Sequence, residues 1–471
     1  MSHGLNKFST RTKLLVGALA LVLAGVSHAT GTLVGGGATL PSVGYVGTNA
    51  ATTSTLQFTG TGIASNSLFG AYQAQTGNPS ASYCLTGSGA GKNILAGATG
   101  FSVQNACSSA KSGFGAPAVS RTDLTQPNFA AADSPLATSD LTNYHTGHGS
   151  AAWPTQFPAI AGAVGIALNL KDSAGTQLTA NFSTAQVCKI FSGAVTTWND
   201  ASLASAFTLA SGHTIPAQPI NVEYRQDGSG TSFSFSNFLT NNCGSAGLSQ
   251  VFETSQTFGA VAPTTSGGTP AAGSVISNFF TTLPSTWTAA GGNTGVANAV
   301  GGTANSVGYV ETANVLALNA AGVTSVVLAN VNGKSPTTNF GSALTLPGAA
   351  IVYNEVIGST NNTNGTATLS AISGAPSTQC IALVAPANYA VAGSKGGVVP
   401  STSYPIVAVS YLMGNAQSNG TDLTNTANLV NAPYNSTLQS AATLVGPGKG
   451  LAFLTLGTGA FTATAPGTCL H

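Results

Sequence analysis

Charge is what this chain has least of. Its 471 residues carry 12 Lys and Arg against 11 Asp and Glu, only 5% charged residues, for a formal net charge of +1. No basic field exists to draw in nucleic acid or an anionic membrane. No C-x-x-C pair occurs, and two of the six His (His3 and His28) fall in the N-terminal segment, so no metal site is expected. The hydrolase motifs G-x-S-x-G and H-E-x-x-H are missing. No internal repeat is found, and no later segment reads as a transmembrane helix. Hydrophobic content of 43% argues against wholesale disorder, whose signature is low hydrophobicity with high charge. Ser, Thr, Asn, Gln and backbone must wet the surface, and 59 Gly imply long loops.

The length gives room for roughly two or three domains. Residues 1–29 read as a cleavable signal peptide. Lys7, Arg11 and Lys13 form a positive n-region, Leu14 to Val26 is apolar, and Ser27-His28-Ala29 offers small residues for cleavage after Ala29. No Cys lies near that point, so a lipid anchor is not expected and the mature protein should be exported, periplasmic or extracellular. Six Cys follow: Cys84, Cys107, Cys188, Cys243, Cys380 and Cys469. An even number in an exported chain implies disulfides. Order along the chain favours Cys84–Cys107, Cys188–Cys243 and Cys380–Cys469.

One stretch organises the rest. Val222-Glu223-Tyr224 can extend as a strand, Gly228 and Gly230 let the backbone turn, and Phe233, Phe235, Phe238 and Leu239 are spaced for a helix with one face inward. A helix N-terminus offers unpaired N–H groups and a positive dipole end, which together hold an anion. Ser229 and Thr231 add hydroxyls, and Arg225 adds a planar fork of donors suited to an oxyanion. Asp227 is spaced to orient that guanidinium. The plainer alternative is a capped surface turn with Arg225 in solvent.

Other stretches are of related kinds. Leu33 to Pro41 reads as a short strand ending in a Gly-rich turn, where Thr39 offers a hydroxyl and Leu40 an amide. Gly87-Ser88-Gly89-Ala90-Gly91-Lys92 resembles a phosphate-cradling nucleotide loop but fails as one, with Thr86 in place of the first Gly and Asn93 after the Lys. It still reads as a turn entering a helix, with Ser88 near the N-cap. Asp133 stands alone in the apolar run Phe129 to Leu136, where a carboxylate costs free energy unless hydrogen-bonded. Ile160 to Leu168, Val307 to Val310 and Tyr404 to Leu412 read as strands, Ser183 to Trp198 as a helix, and the tail from Leu423 as carrying helix. Residues 255–305 read as loops with a helix around Ser274 to Thr282, residues 355–376 as an exposed insertion, and His145 and His148 as loop residues.

In order, these stretches resemble the phosphate-binding protein of the bacterial phosphate ABC transporter (the PstS type) and its secreted relatives, the DING proteins. Gly35-Gly36-Gly37-Ala38-Thr39-Leu40-Pro41, Phe129 to Leu136, Phe191-Ser192-Gly193 through Asp200, Arg225 to Thr231, Val307 to Glu311 and Tyr404 to Val407 carry the likeness, which runs from Gly35 to about Tyr411. The resemblance implies an α/β, two-lobed periplasmic binding protein-like fold (type II), each lobe a mixed sheet flanked by helices. Lobe I would hold residues 30–155 plus 404–471, and lobe II residues 156–403. Phosphate would sit between them, bound by the Thr39 hydroxyl, the Leu40 amide, Ser88, Arg225 oriented by Asp227, and Ser229, Gly230 and Thr231. Asp133 would accept the proton of hydrogen phosphate. Sulfate carries no such proton at neutral pH, and a site built around that bond can reject it by ~10⁴ or more.

Departures from the family pattern are Leu40 for Phe, Ala132 for Ser and Gly89 for a second Ser. The implied partners are inorganic phosphate and an ABC permease, although the low charge and missing lipidation Cys suit a freely secreted relative. No cofactor, no metal and no nucleic acid are expected, and the protein should be a monomer. The expected function is non-enzymatic phosphate capture for uptake or scavenging. The alternatives are a DING-like secreted phosphatase and a surface or matrix protein that reuses the fold.

Overall fold

A computed structural model describes residues 31–471 except 260–267, 342–343, 362, 376–378 and 394–396. The expected signal peptide lies outside the described residues. Twelve strands form the main sheet: β1 (Leu33–Gly37), β2 (Gln57–Thr59), β3 (Ala81–Leu85), β4 (Ala130–Ala132), β5 (Pro154–Asn169), β6 (Asn181–Phe182), β7 (Asn221–Arg225), β8 (Trp287–Ala290), β9 (Ser306–Glu311), β10 (Val327–Val331), β11 (Val407–Asn415) and β12 (Leu451–Phe453). They run in the order β2-β3-β1-β4-β11-β5-β9-β7-β8; β10 and β12 pair with β5, and β6 with β10. The sheet is mixed: β1 is parallel to β3 and β4, and β7 to β8 and β9, whereas β5 is antiparallel to β11 and β9.

β5 joins two halves of the sheet, β2-β3-β1-β4-β11 on one side and β9-β7-β8 on the other. Its residues 154–163 pair with β11, and Val164 to Asn169 pair with β9. Fifteen of its sixteen residues are buried, which explains a continuous apolar run instead of an alternating one. The sheets of the two halves therefore share one strand and form a single hydrogen-bonded path.

Helices of eight residues or more among the described residues are α1 (Ser88–Leu95), α2 (Thr138–His148), α3 (Thr184–Phe191), α4 (Gly230–Asn242), α5 (Gly292–Gly302), α6 (Thr312–Ala320) and α7 (Leu423–Asn431). α4 is not one-sided: every residue from Gly230 to Leu239 is buried, because β11, the short helix Ala387–Ala390, β5 and β9 all pack against it. α3 begins as its sequence suggests, with Ser183 and Gln186 forming a capping box, but it ends at Phe191 and not near Trp198. Gly193, at φ 72°, turns the chain away.

Residues 274–282 form turns, with bonds such as Ser277 N–H to Ser274 O, and no helix. The neighbouring stretch read as loop instead supplies β8 and α5. His145 and His148 lie on α2, where His145 meets Trp153 edge-on and His148 Nε2 lies 2.8 Å from Leu95 O. The insertion at 355–376 contains a half-buried hairpin of Glu355–Thr360 and Ala367–Ala371. Disulfides join Cys84–Cys107, Cys188–Cys243 and Cys380–Cys469. They close sequence separations of 23, 55 and 89 residues, each stabilising by about 3–5 kcal/mol in the chain-entropy account.

Candidate anion-binding site

The Arg225 stretch folds as strand, turn and helix. β7 ends at Arg225, and Ser229 caps α4 by accepting the Ser232 N–H at 3.1 Å. Phe233 N–H returns to Ser229 O, so the Gly230 and Thr231 N–H groups stay outside the helix ladder, where an anion can take them. Arg225 is not in solvent: its side chain is 1% exposed. Nε and Nη2 donate to Asp227 Oδ1 and Oδ2 at 2.9 and 2.6 Å, a bidentate clamp, while Nη1 donates to Thr231 Oγ1 at 3.1 Å. Burial pushes the Asp227 carboxyl up, but the Arg225 charge and bonds, Lys111 and the Gly292 N–H outweigh it. They hold the group well below the usual carboxylate range.

The other half supplies three elements. β1 delivers Thr39, whose Oγ1 lies 3.4 Å from Arg225 Nη2. Gly37 permits this turn: its φ is 126°, and a Cβ there would lie 2.1 Å from Ala131 O. α1 begins at Ser88, whose hydroxyl accepts the Asp133 N–H at 3.0 Å and donates to Asp133 Oδ2 at 3.3 Å. β4 delivers Asp133 itself, which is buried. Burial raises its carboxyl to about 7, against the lowering effects of the Ser410 hydroxyl, the Arg225 charge, Ser88 and the Leu40 N–H. Asp133 Oδ1 has no partner at hydrogen-bonding geometry.

The halves meet at Gly230 and Gly89. A Cβ on Gly230 would lie 2.4 Å from Asp133 Cβ and 2.6 Å from Ser88 Oγ, and Gly89 N–H donates to Gly228 O at 3.2 Å. Thus Thr39, Leu40, Ser88, Asp133, Arg225, Asp227, Ser229, Gly230 and Thr231, spread over almost 200 positions of sequence, form one cluster.

Sequence reasoning missed Asn293, at the start of α5. It is 1% exposed, and its Nδ2 donates to Thr39 Oγ1 and Thr231 Oγ1 at 3.2 and 3.3 Å. Its Oδ1 accepts the Glu311 N–H at 2.9 Å. With Gly292 N–H on Asp227 Oδ1 at 2.9 Å, α5 is a third helix N-terminus at the cluster. The available signal was Gly291-Gly292-Asn293, another Gly-rich turn before a helix, masked by low polarity contrast. Tyr309 was also missed as a support: its hydroxyl accepts the Arg225 N–H at 3.1 Å. Lys111 Nζ stands 3.7 Å from Asp227 Oδ2 beside a cavity of about 320 Å³ that Thr39 and Asn293 also line. No group of three or more His, Cys, Asp and Glu among the described residues could hold a metal.

Comparison with known proteins agrees with this architecture. The chain is 31% identical over 265 residues to the protein named alkaline phosphatase L of Pseudomonas aeruginosa, covering 56% of this chain and 57% of that one. It is 31% identical over 121 residues to the phosphate-binding protein PstS 3 of Mycobacterium leprae, covering 26% and 30%. It therefore spans little more than half of the first relative and less than a third of the second. A solved phosphate-binding protein from Stenotrophomonas maltophilia superposes with a TM-score of 0.52 at 22% identity, over 89% of this chain and 91% of that one. A high-affinity periplasmic phosphate-binding protein, PfluDING, superposes at 0.54 and 21%, over 90% and 91%; both share the fold. The family model described as the PBP superfamily domain matches residues 45–413, most of the chain, and the protein belongs to that superfamily.

Proposed function

We propose that this protein captures inorganic phosphate as hydrogen phosphate between its two halves, without chemistry. The observation that carries the reading is Asp133: a buried carboxylate near the Ser410 hydroxyl and the Leu40 N–H whose Oδ1 nonetheless has no partner at hydrogen-bonding geometry, among groups that otherwise donate. An acceptor in an anion cradle is tolerable only if a proton lies between it and the ligand. Hydrogen phosphate supplies that proton and sulfate does not. Arg225, clamped by Asp227, gives the charge-assisted bonds, and Thr39, Ser88, Ser229, Thr231 and the Leu40 and Gly230 amides complete the cradle.

The lobes would be residues 30–155 plus 404–471 and residues 156–403, closing over the ligand. Export through the N-terminal segment would place the protein in a periplasm or outside the cell, serving uptake or scavenging. The phosphate-binding names among its relatives and fold neighbours support this reading.

Calorimetry on the ligand-stripped mature protein tests it. Phosphate should bind at ~1 µM or tighter, about −8 kcal/mol, with no sulfate heat at neutral pH. Absence of both heats refutes the reading. One likeness, to the protein named alkaline phosphatase L, favours hydrolysis instead. Phosphatase turnover that persists through purification and vanishes in Asp133→Asn would carry that second reading.

A further inference from the structure

The failed nucleotide loop leaves an unexplained feature: Lys92 is 1% exposed. It lies one helical turn after Ser88 on α1, so both side chains leave the same face. Ser88 grips Asp133 through its N–H and Oδ2. Lys92 Nζ donates to Pro135 O at 3.2 Å and to Asp140 Oδ2 at 2.5 Å. That same Asp140 oxygen accepts the Ala137 N–H at 2.8 Å. α1 thus holds Asp133 to Ala137 near both ends. Between the two grips, Gly91 brings α1 directly onto the strands; a Cβ there would lie 2.7 Å from Gly37 Cα and 3.2 Å from Ala131 O.

Burying an ammonium costs several kcal/mol unless it is paired, and an apolar side chain of similar length would fill the space more cheaply. What the pair adds is register: it fixes where the chain goes after β4, and so where the Asp133 carboxylate points.

We propose that Lys92 is a positioning residue of the anion site, holding the Asp133 segment through Pro135 and Asp140 and thereby sharpening discrimination between protonated and unprotonated oxyanions. This rests on the phosphate reading. The ammonium bonds to the segment and not to the ligand.

The test compares Lys92→Met and Lys92→Arg with the parent protein. Phosphate and sulfate titrations are run beside the Asp133 titration, followed by ¹³C NMR of carboxyl-labelled Asp and assigned with Asp133→Asn. In Lys92→Met the segment loosens and water reaches the carboxyl. Its midpoint should fall from about 7 toward the ordinary range. Phosphate affinity should drop by about 10- to 100-fold, as for a misplaced group, with a narrower phosphate-to-sulfate ratio. Lys92→Arg, which can still reach both acceptors, should restore each value.

A Lys92→Met protein that melts earlier but keeps the parent midpoint and phosphate affinity would reduce Lys92 to a structural residue and overturn the proposal. If the parent binds no phosphate, the proposed function fails while the Asp133 midpoint still decides the role of Lys92. Should Lys92→Met not fold, Asp140→Asn takes its place, since that carboxylate is partly exposed at 13%.

Discussion

Asn293 Nδ2 lies 3.2 Å from Thr39 Oγ1, joining residues 254 positions apart. The same amide bonds to Thr231, and its oxygen holds the Glu311 N–H. In Asn293→Ala all three bonds go, and the Glu311 N–H is left buried without its partner. Phosphate affinity should fall by about 10-fold or more, and stability by about 1–3 kcal/mol. Calorimetry and urea unfolding of this variant check both; parent values in each would remove Asn293 from the site.

Arg225→Lys keeps the charge and removes the fork. A lysine cannot hold Asp227 at two points while donating to Thr231, as Arg225 does. Phosphate binding should weaken by about 100-fold, roughly 2.7 kcal/mol, despite the retained cation. Binding within a few-fold of the parent would mean that charge alone suffices.

Gly230→Ala tests whether the halves must meet. The added Cβ would collide with Asp133 Cβ and Ser88 Oγ in the other half. The variant should fold, bind phosphate at least about 10-fold more weakly, and stay extended in small-angle scattering when phosphate is added. Compaction equal to that of the parent would place closure elsewhere.

Buried acids set the pH dependence of the ligand-free protein. Burial raises Asp133 to about 7 and Glu311, which caps α6, to about 8. Both lie above the ordinary range of about 4. Their contribution to stability is therefore full below about pH 4 and is lost as pH rises through the folded values. Asp227 runs the other way: its depressed pKa contributes stability that is lost only on strong acidification. Stability should fall by roughly a few kcal/mol between about pH 4 and pH 8. Urea unfolding across that window measures it, and Asp133→Asn should flatten the slope; an unaltered slope would assign the dependence to other groups.

What the sequence determined by itself is local. β1, β7, the buried run of β5, the capped start of α3 and the turn into α4 follow from apolar runs, glycines and caps within a few residues of each other. The disulfide pairs join neighbours in chain order. The order of motifs also led to the family, because each motif is short and carries its own turn chemistry. Tertiary structure decided the rest. α5 has too little polarity contrast to announce a helix, and its N-terminus becomes part of the site only because β7 pairs with both β8 and β9. α4 is buried all round because of what packs against it, which its own spacing cannot reveal. Lys92 sits in a motif that fails as a nucleotide loop, and only the fold brings Pro135 and Asp140 to its ammonium. Contacts between residues 40 to 250 positions apart depend on how the sheet closes around β5, and no local pattern encodes that closure.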